Sequence, residues 1–247
     1  MYLPASKLKA TEIPFRGYLI PSKKPHELVG ILTVTSFTKW SFFLLGNSFL
    51  LLAAVPLMVL LNGNNDGSTG SSDANIPSWL LRAALLSFEC AGPFTLLVAS
   101  VVRYALWPMQ LKNGKDTGPF KSVRAIFEHN ANVVMALTEV ALLGGPPVRW
   151  QDFSVAPLFG ITYVLFAWYM STHWVPALHG PQFIYFFLDT TLGKWTTIFL
   201  LGLLGVLLTF YGLFFAASYC ISHAYGGAWV NGLAVAVLSS LVCRFND

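Results

Sequence analysis

Long apolar runs separated by polar breaks set the pattern of this chain. They fall at about residues 32–61, 79–107, 127–143, 155–172, 196–221 and 228–243. A helix needs roughly 20 apolar residues to cross a bilayer, and the last run, at about sixteen, is short of that. The runs are continuous, whereas barrel strands alternate in polarity, so helices are expected. The breaks are rich in Gly, Pro, Asn and Ser, above all NGNNDGSTGSSDANIPS at 62–78 and GGPP at 144–147. Residues 173–195, broken by Pro and Gly, read as interfacial or re-entrant. The pattern predicts an all-α integral membrane bundle of five to six transmembrane helices. It forms one domain over residues 31–247, after an N-terminal tail over 1–30.

Composition supports the same class. The chain is 55% hydrophobic and 11% charged, with a mean hydropathy of +0.61. Soluble domains carry roughly 25% charged residues. The net charge of +4 comes with no basic run dense enough for nucleic acid. Its distribution instead predicts orientation. Lys7, Lys9, Arg16, Lys23 and Lys24 lie in the tail, and Lys112, Lys115, Lys121 and Arg124 lie in 108–126. The 62–78 loop has two Asp and no Lys or Arg. By the positive-inside rule the tail and 108–126 are cytoplasmic and 62–78 is lumenal or external. An endomembrane such as the ER, or the plasma membrane, suits this layout. The tail has no apolar h-region and does not read as a signal peptide. Cys90, Cys220 and Cys243 show no metal or redox spacing.

Several polar groups then stand out against the apolar background. In FEHNANVVMALTE (127–139), Glu128, Asn132 and Glu139 share one helical face, with His129 about 60° from Asn132. Ionisable groups facing lipid cost several kcal/mol, so this face should look into the bundle or onto water. Glu128 and His129 read equally as hydrated interfacial residues and Asn132 as a bond to a neighbouring helix. Glu139 lies deeper and should be paired or protonated. LTVTSFTKW (32–40) offers Thr33, Thr35, Ser36 and Thr38. Such hydroxyls usually bond helix backbone, but with a positioned His one can act as a nucleophile. Arg82 and Glu89 share a face of the second run about 10 Å apart, so each should pair elsewhere or, for Arg82, snorkel. Glu89 is a mid-span acid of unspecified role. His173 and His179 match no zinc spacing, and no metal or other cofactor is expected.

Two of these clusters, in this order, resemble the androgen-induced-gene family of multispanning membrane hydrolases. The similarity lies in Leu32–Thr33 opening one apolar helix, His129 opening another with Glu139 ten positions on, and the outline of YVLFAWYMSTHWVPALHGPQF. It spans roughly residues 30–190. The chain departs from the family in having no apolar helix before the Thr-bearing one, and Val134 where a Pro is usual. The resemblance implies hydrolysis of fatty acid esters of hydroxy fatty acids, with Thr33 as nucleophile and His129 as base. Asn132 would orient the imidazole or stabilise the oxyanion; Glu128, Glu139 and Glu89 would support. The partner implied is a membrane lipid. The alternatives are a non-enzymatic scaffold or lipid-binding protein, in which the polar clusters are interhelical glue, and a proton-coupled carrier using Glu89 and Glu139.

Overall fold

Residues 11–12, 27–28, 34–63, 76–114, 116–173, 183–223 and 227–244 are described by a computed structural model. The fold is all-α. The exception among these residues is a two-residue antiparallel pairing of Thr11–Glu12 with Glu27–Leu28. The helices are α1 (Phe37–Gly63), α2 (Ser78–Val101), α3 (Trp107–Lys112), α4 (Gly118–Lys121), α5 (Val123–Ile126), α6 (Asn132–Leu142), α7 (Val155–His173), α8 (Lys194–Ser222) and α9 (Gly227–Val242). Four continuous helical stretches are long and apolar enough to cross a membrane: Phe37–Leu61, Ser78–Lys112, Trp150–His173 and Lys194–Ser222. Of the six expected runs, the remaining two form the helix over 123–142, diluted by its own polar residues, and the shorter α9.

Two expectations change in detail. The second run was expected to break before Pro108, yet its helix continues to Lys112. A π turn, Val102–Leu106, comes just before the proline, and Trp107 N–H reaches back to Val102 O. This wider turn moves the carbonyl that a proline ring would meet in a regular α-helix. Residues 108–126, expected as a loop, are largely helical. They break at Asn113–Gly114, where Gly114 takes φ +62°, a value glycine adopts without strain.

The chain divides into two compact units, Met1–Trp40 with Pro157–Leu208, and Ser41–Ala156 with Thr209–Asp247. In the first, an aromatic core gathers Tyr163, Phe183 and Leu188 with Phe37, Trp40, Phe166 and Tyr185. Phe37, Trp40 and Tyr163 meet edge to face at centroid distances of 5.2 and 5.5 Å. A groove of about 290 Å³ runs between α7 and α8, lined by Gly160, Val164, Trp168, Leu200, Leu204 and Leu207 among others. In the second unit, α6 packs against α9 and α2. Phe88, Phe94, Val133, Leu137 and Phe214 are buried there. Phe214 lies on Gly92, where an added Cβ would sit 2.3 Å from the ring.

Candidate functional site

The strongest concentration of buried charge lies in the second unit, on α2. Arg82 and Glu89 are seven residues apart on that helix, on one face, and do not pair with each other. Their partners come from the segment after α6. Gly144 ends that helix at φ +72°, and Gly145 N–H closes back on Glu139 O at 2.9 Å. Two prolines then hold the chain out of helix until a short turn, Trp150–Asp152, which leads into α7.

Arg82 forks onto Asp152, with Nη2 2.7 Å from Oδ1 and Nη1 3.3 Å from Oδ2. Arg149 Nη2 lies 2.5 Å from the same Oδ2. Glu89 is fully buried, at 0% exposure. Its Oε1 accepts the Arg149 backbone N–H at 2.6 Å, while Arg149 Nε stands at 3.6 Å. Tyr211 of α8 donates to Arg149 O at 2.6 Å. Two cations and two acids are thus joined by one turn whose backbone is held at both its N–H and its C=O. Glu89 is eleven residues into α2, roughly 16 Å along its axis, so the turn meets α2 well inside the helix. Pro93, four residues on, has no N–H for the Glu89 carbonyl.

FEHNANVV is organised differently. Residues Phe127–Ala131 form a second π turn. Donors in a π turn reach back five residues, and the Asn132 side chain takes the Glu128 carbonyl itself, Nδ2 to O at 2.9 Å. Asn132 Oδ1 accepts the Val133 N–H at 2.8 Å. The buried Asn132 amide is therefore occupied by its own helix rather than by an imidazole or a neighbouring helix. Glu128 pairs with Arg124, one turn earlier, at 2.8 Å. His129 is half-buried, its ring 6.4 Å from that of Phe120. Glu139 is half-buried too. Among the described residues its carboxylate has no hydrogen-bond or ion-pair partner.

Of the hydroxyl cluster, Thr33 lies outside the described residues. Thr35 is buried and its carbonyl accepts Tyr163 OH at 3.1 Å. Ser36 Oγ accepts the Lys39 N–H in the first turn of α1, as a capping hydroxyl does. Tyr185 OH accepts the Phe37 N–H at 3.2 Å, and burial raises its phenol above the ordinary value, so it stays neutral. His173 stacks on Tyr169 at 4.2 Å. His179 lies outside the described residues. Among the described residues no group of three or more His, Cys, Asp or Glu is placed to hold a metal.

Asp152 and Asn130, which sequence reading passed over, and Arg149, which it weighed only as the basic charge of the 144–153 turn, matter here. Asp152 and Arg149 are spaced i, i+3, and the 144–153 break follows the same membrane side as the start of α2 in the charge map; that shared side was the available signal. Asn130 is the third. It grips the chain after α9, donating from Nδ2 to Arg244 O at 2.6 Å and accepting Arg244 N–H at 3.2 Å. Arg103 and Tyr104, from the first π turn, bond the carbonyls of Ser240, Cys243 and Leu241. A cation there also suits the negative end of the α9 dipole.

Comparison with family models, curated proteins and solved structures finds no match for this chain.

Proposed function

We propose that this multispanning protein holds a membrane lipid by its acyl chain. The groove between α7 and α8 carries the reading. Its lining is aliphatic and aromatic except for Thr197, and Ile161, Leu165 and Leu201 stand exposed within it. In a bilayer, acyl chains are the solvent such a surface meets. The test is crosslinking in membranes with a photoactivatable acyl lipid, comparing wild type with Leu204→Trp, which fills the groove. Label on α7 and α8 peptides lost in the variant supports the reading. Equal labelling refutes it and favours a scaffold that merely sits in lipid.

A second reading makes that lipid a substrate. Thr33 attacks the ester carbonyl as His129 takes its proton; the ester C–O bond breaks, the hydroxy fatty acid leaves carrying that proton, and water then hydrolyses the acyl-Thr33 bond to release the fatty acid and restore the Thr33 hydroxyl. The sequence resemblance supports it, as does the placement of His129 in a π turn, a feature frequent at functional sites. Asn132 is then a backbone stopper, and the oxyanion is stabilised by other donors. Purified Thr33→Ala and His129→Ala proteins should lose hydrolysis of fatty acid esters of hydroxy fatty acids. Wild-type rates in both would end this reading while leaving lipid binding intact.

The tail and 108–126 face the cytoplasm in this reading, with residues 64–75 on the far side. A glycosylation acceptor inserted at 64–75 should be modified in ER membranes, and one inserted at 112–117 should not.

A further inference from the structure

Two cations converge on one buried ring in the second unit. Trp107 of α3 is 2% exposed. The Arg244 guanidinium, from the chain after α9, lies 4.6 Å from its ring centroid, and the Lys121 ammonium of α4 lies at 5.8 Å. Phe120, next to Lys121, packs on the same ring at 6.0 Å. A third cation belongs to the same neighbourhood. Arg103 holds the carbonyls of Ser240 and Cys243, and Cys243 directly precedes Arg244. Over residues 103–128 the chain carries five Lys and Arg against Asp116 and Glu128. Glu128 bridges to Arg124, and Asp116 accepts the Gly118 N–H. The Trp107 Nε1–H is buried and has no hydrogen-bond partner among the described residues.

Each cation gains from the electron-rich face of the indole, but two like charges brought to one ring repel each other. A buried donor without an acceptor is costly as well. One anionic acceptor beside the ring answers both, and a phosphate offers several oxygens to two cations and an N–H together. The surroundings favour a lipid as its source. Met109, Leu111, Val123 and Phe127 are exposed along the same stretch as exposed Lys112, Lys121 and Arg124. Apolar and basic residues interleaved in this way suit a bilayer interface with anionic headgroups. We propose that the phosphate of an anionic phospholipid binds here, with Lys121 and Arg244 taking its charge and Trp107 Nε1–H donating to one of its oxygens. The exposed Lys121 side chain turns to admit it. This site stands whether or not the groove between α7 and α8 holds an acyl chain.

Full-length protein in a neutral detergent is incubated with phosphatidylglycerol, with phosphatidylcholine or with inorganic phosphate. Bound lipid is counted by native mass spectrometry, and thermal unfolding is followed in parallel. Phosphatidylglycerol should be retained in preference to phosphatidylcholine and should raise the melting temperature, whereas excess inorganic phosphate should not. Lys121→Gln and Arg244→Gln should each weaken phosphatidylglycerol binding about fivefold. Trp107→Phe keeps a ring and loses the donor, and should weaken it about tenfold. Lys194→Gln removes an ammonium that lies 5.9 Å from the Trp195 ring centroid, so it controls for diffuse surface charge and should leave binding unchanged. Should Trp107→Phe fail to fold, the Lys121→Gln and Arg244→Gln proteins carry the test. Equal retention of the two lipids, a loss in Lys194→Gln as large as in Lys121→Gln and Arg244→Gln, or stabilisation by inorganic phosphate equal to that by phosphatidylglycerol overturns the proposal.

Discussion

Two polar regions of the second unit invite comparison. FEHNANVV packs four polar side chains into a few residues, and two are satisfied close by: Glu128 by Arg124, Asn132 by the backbone on either side of it, while Asn130 reaches out to Arg244. Arg82, Glu89, Arg149, Asp152 and Tyr211 are scattered over 130 positions, yet they converge on one turn. Crowding along the chain thus marks where a helix serves its own backbone. Complementary charges far apart in sequence mark where separate elements are tied together. In a membrane interior such ties carry more weight, because no water is present to satisfy a group whose partner has moved.

The comparison can be broken by substitution, and the largest effect should come from Asp152→Ala. It leaves Arg149 and Arg82 without their shared anion. Removing one member of a buried pair costs 3–5 kcal/mol, and half-exposed Arg82 places the expected loss near the low end, about 3 kcal/mol by thermal unfolding in detergent. Asn130→Ala is next, at about 1–2 kcal/mol, since it strips two bonds from Arg244. It should also speed hydrogen exchange at the end of α9 selectively. Tyr211→Phe removes one hydroxyl from Arg149 O and should cost about 1 kcal/mol by the same unfolding assay. Glu128→Ala should be smallest, about 0.5 kcal/mol or less, because an i, i+4 pair on a helix surface is worth little. An Asp152 effect no larger than that of Glu128 would erase the distinction between the regions.

Most of the architecture was legible in the pattern of apolar runs, since each predicted run became a helix within a few residues of its expected ends. Length and apolarity alone settle that much. The π turns were not legible, because they arise from how a proline or a short amide side chain perturbs one turn, and hydropathy does not register this. The charge network was half legible. Arg82 and Glu89 were evident as polar residues in an apolar run, with partners required elsewhere. Asp152 and Arg149 sat in a break that read as an ordinary turn, and only tertiary structure brings that turn deep along α2. The bonds of Asn132 were not legible either: its amide takes the Glu128 carbonyl and the Val133 N–H, and residue types alone do not register a displaced backbone N–H.

The central claim is that the 149–152 turn and α2 are coupled through charge, whereas the charge pair Arg124–Glu128 is a local matter. The most direct measurement is a pair of double-mutant cycles on thermal stability, Arg82→Ala with Asp152→Ala, and Arg124→Ala with Glu128→Ala. The account predicts a coupling of about 1–2 kcal/mol in the first and at most about 0.5 kcal/mol in the second. Additive effects of Arg82 and Asp152, or equal couplings in the two cycles, would contradict it.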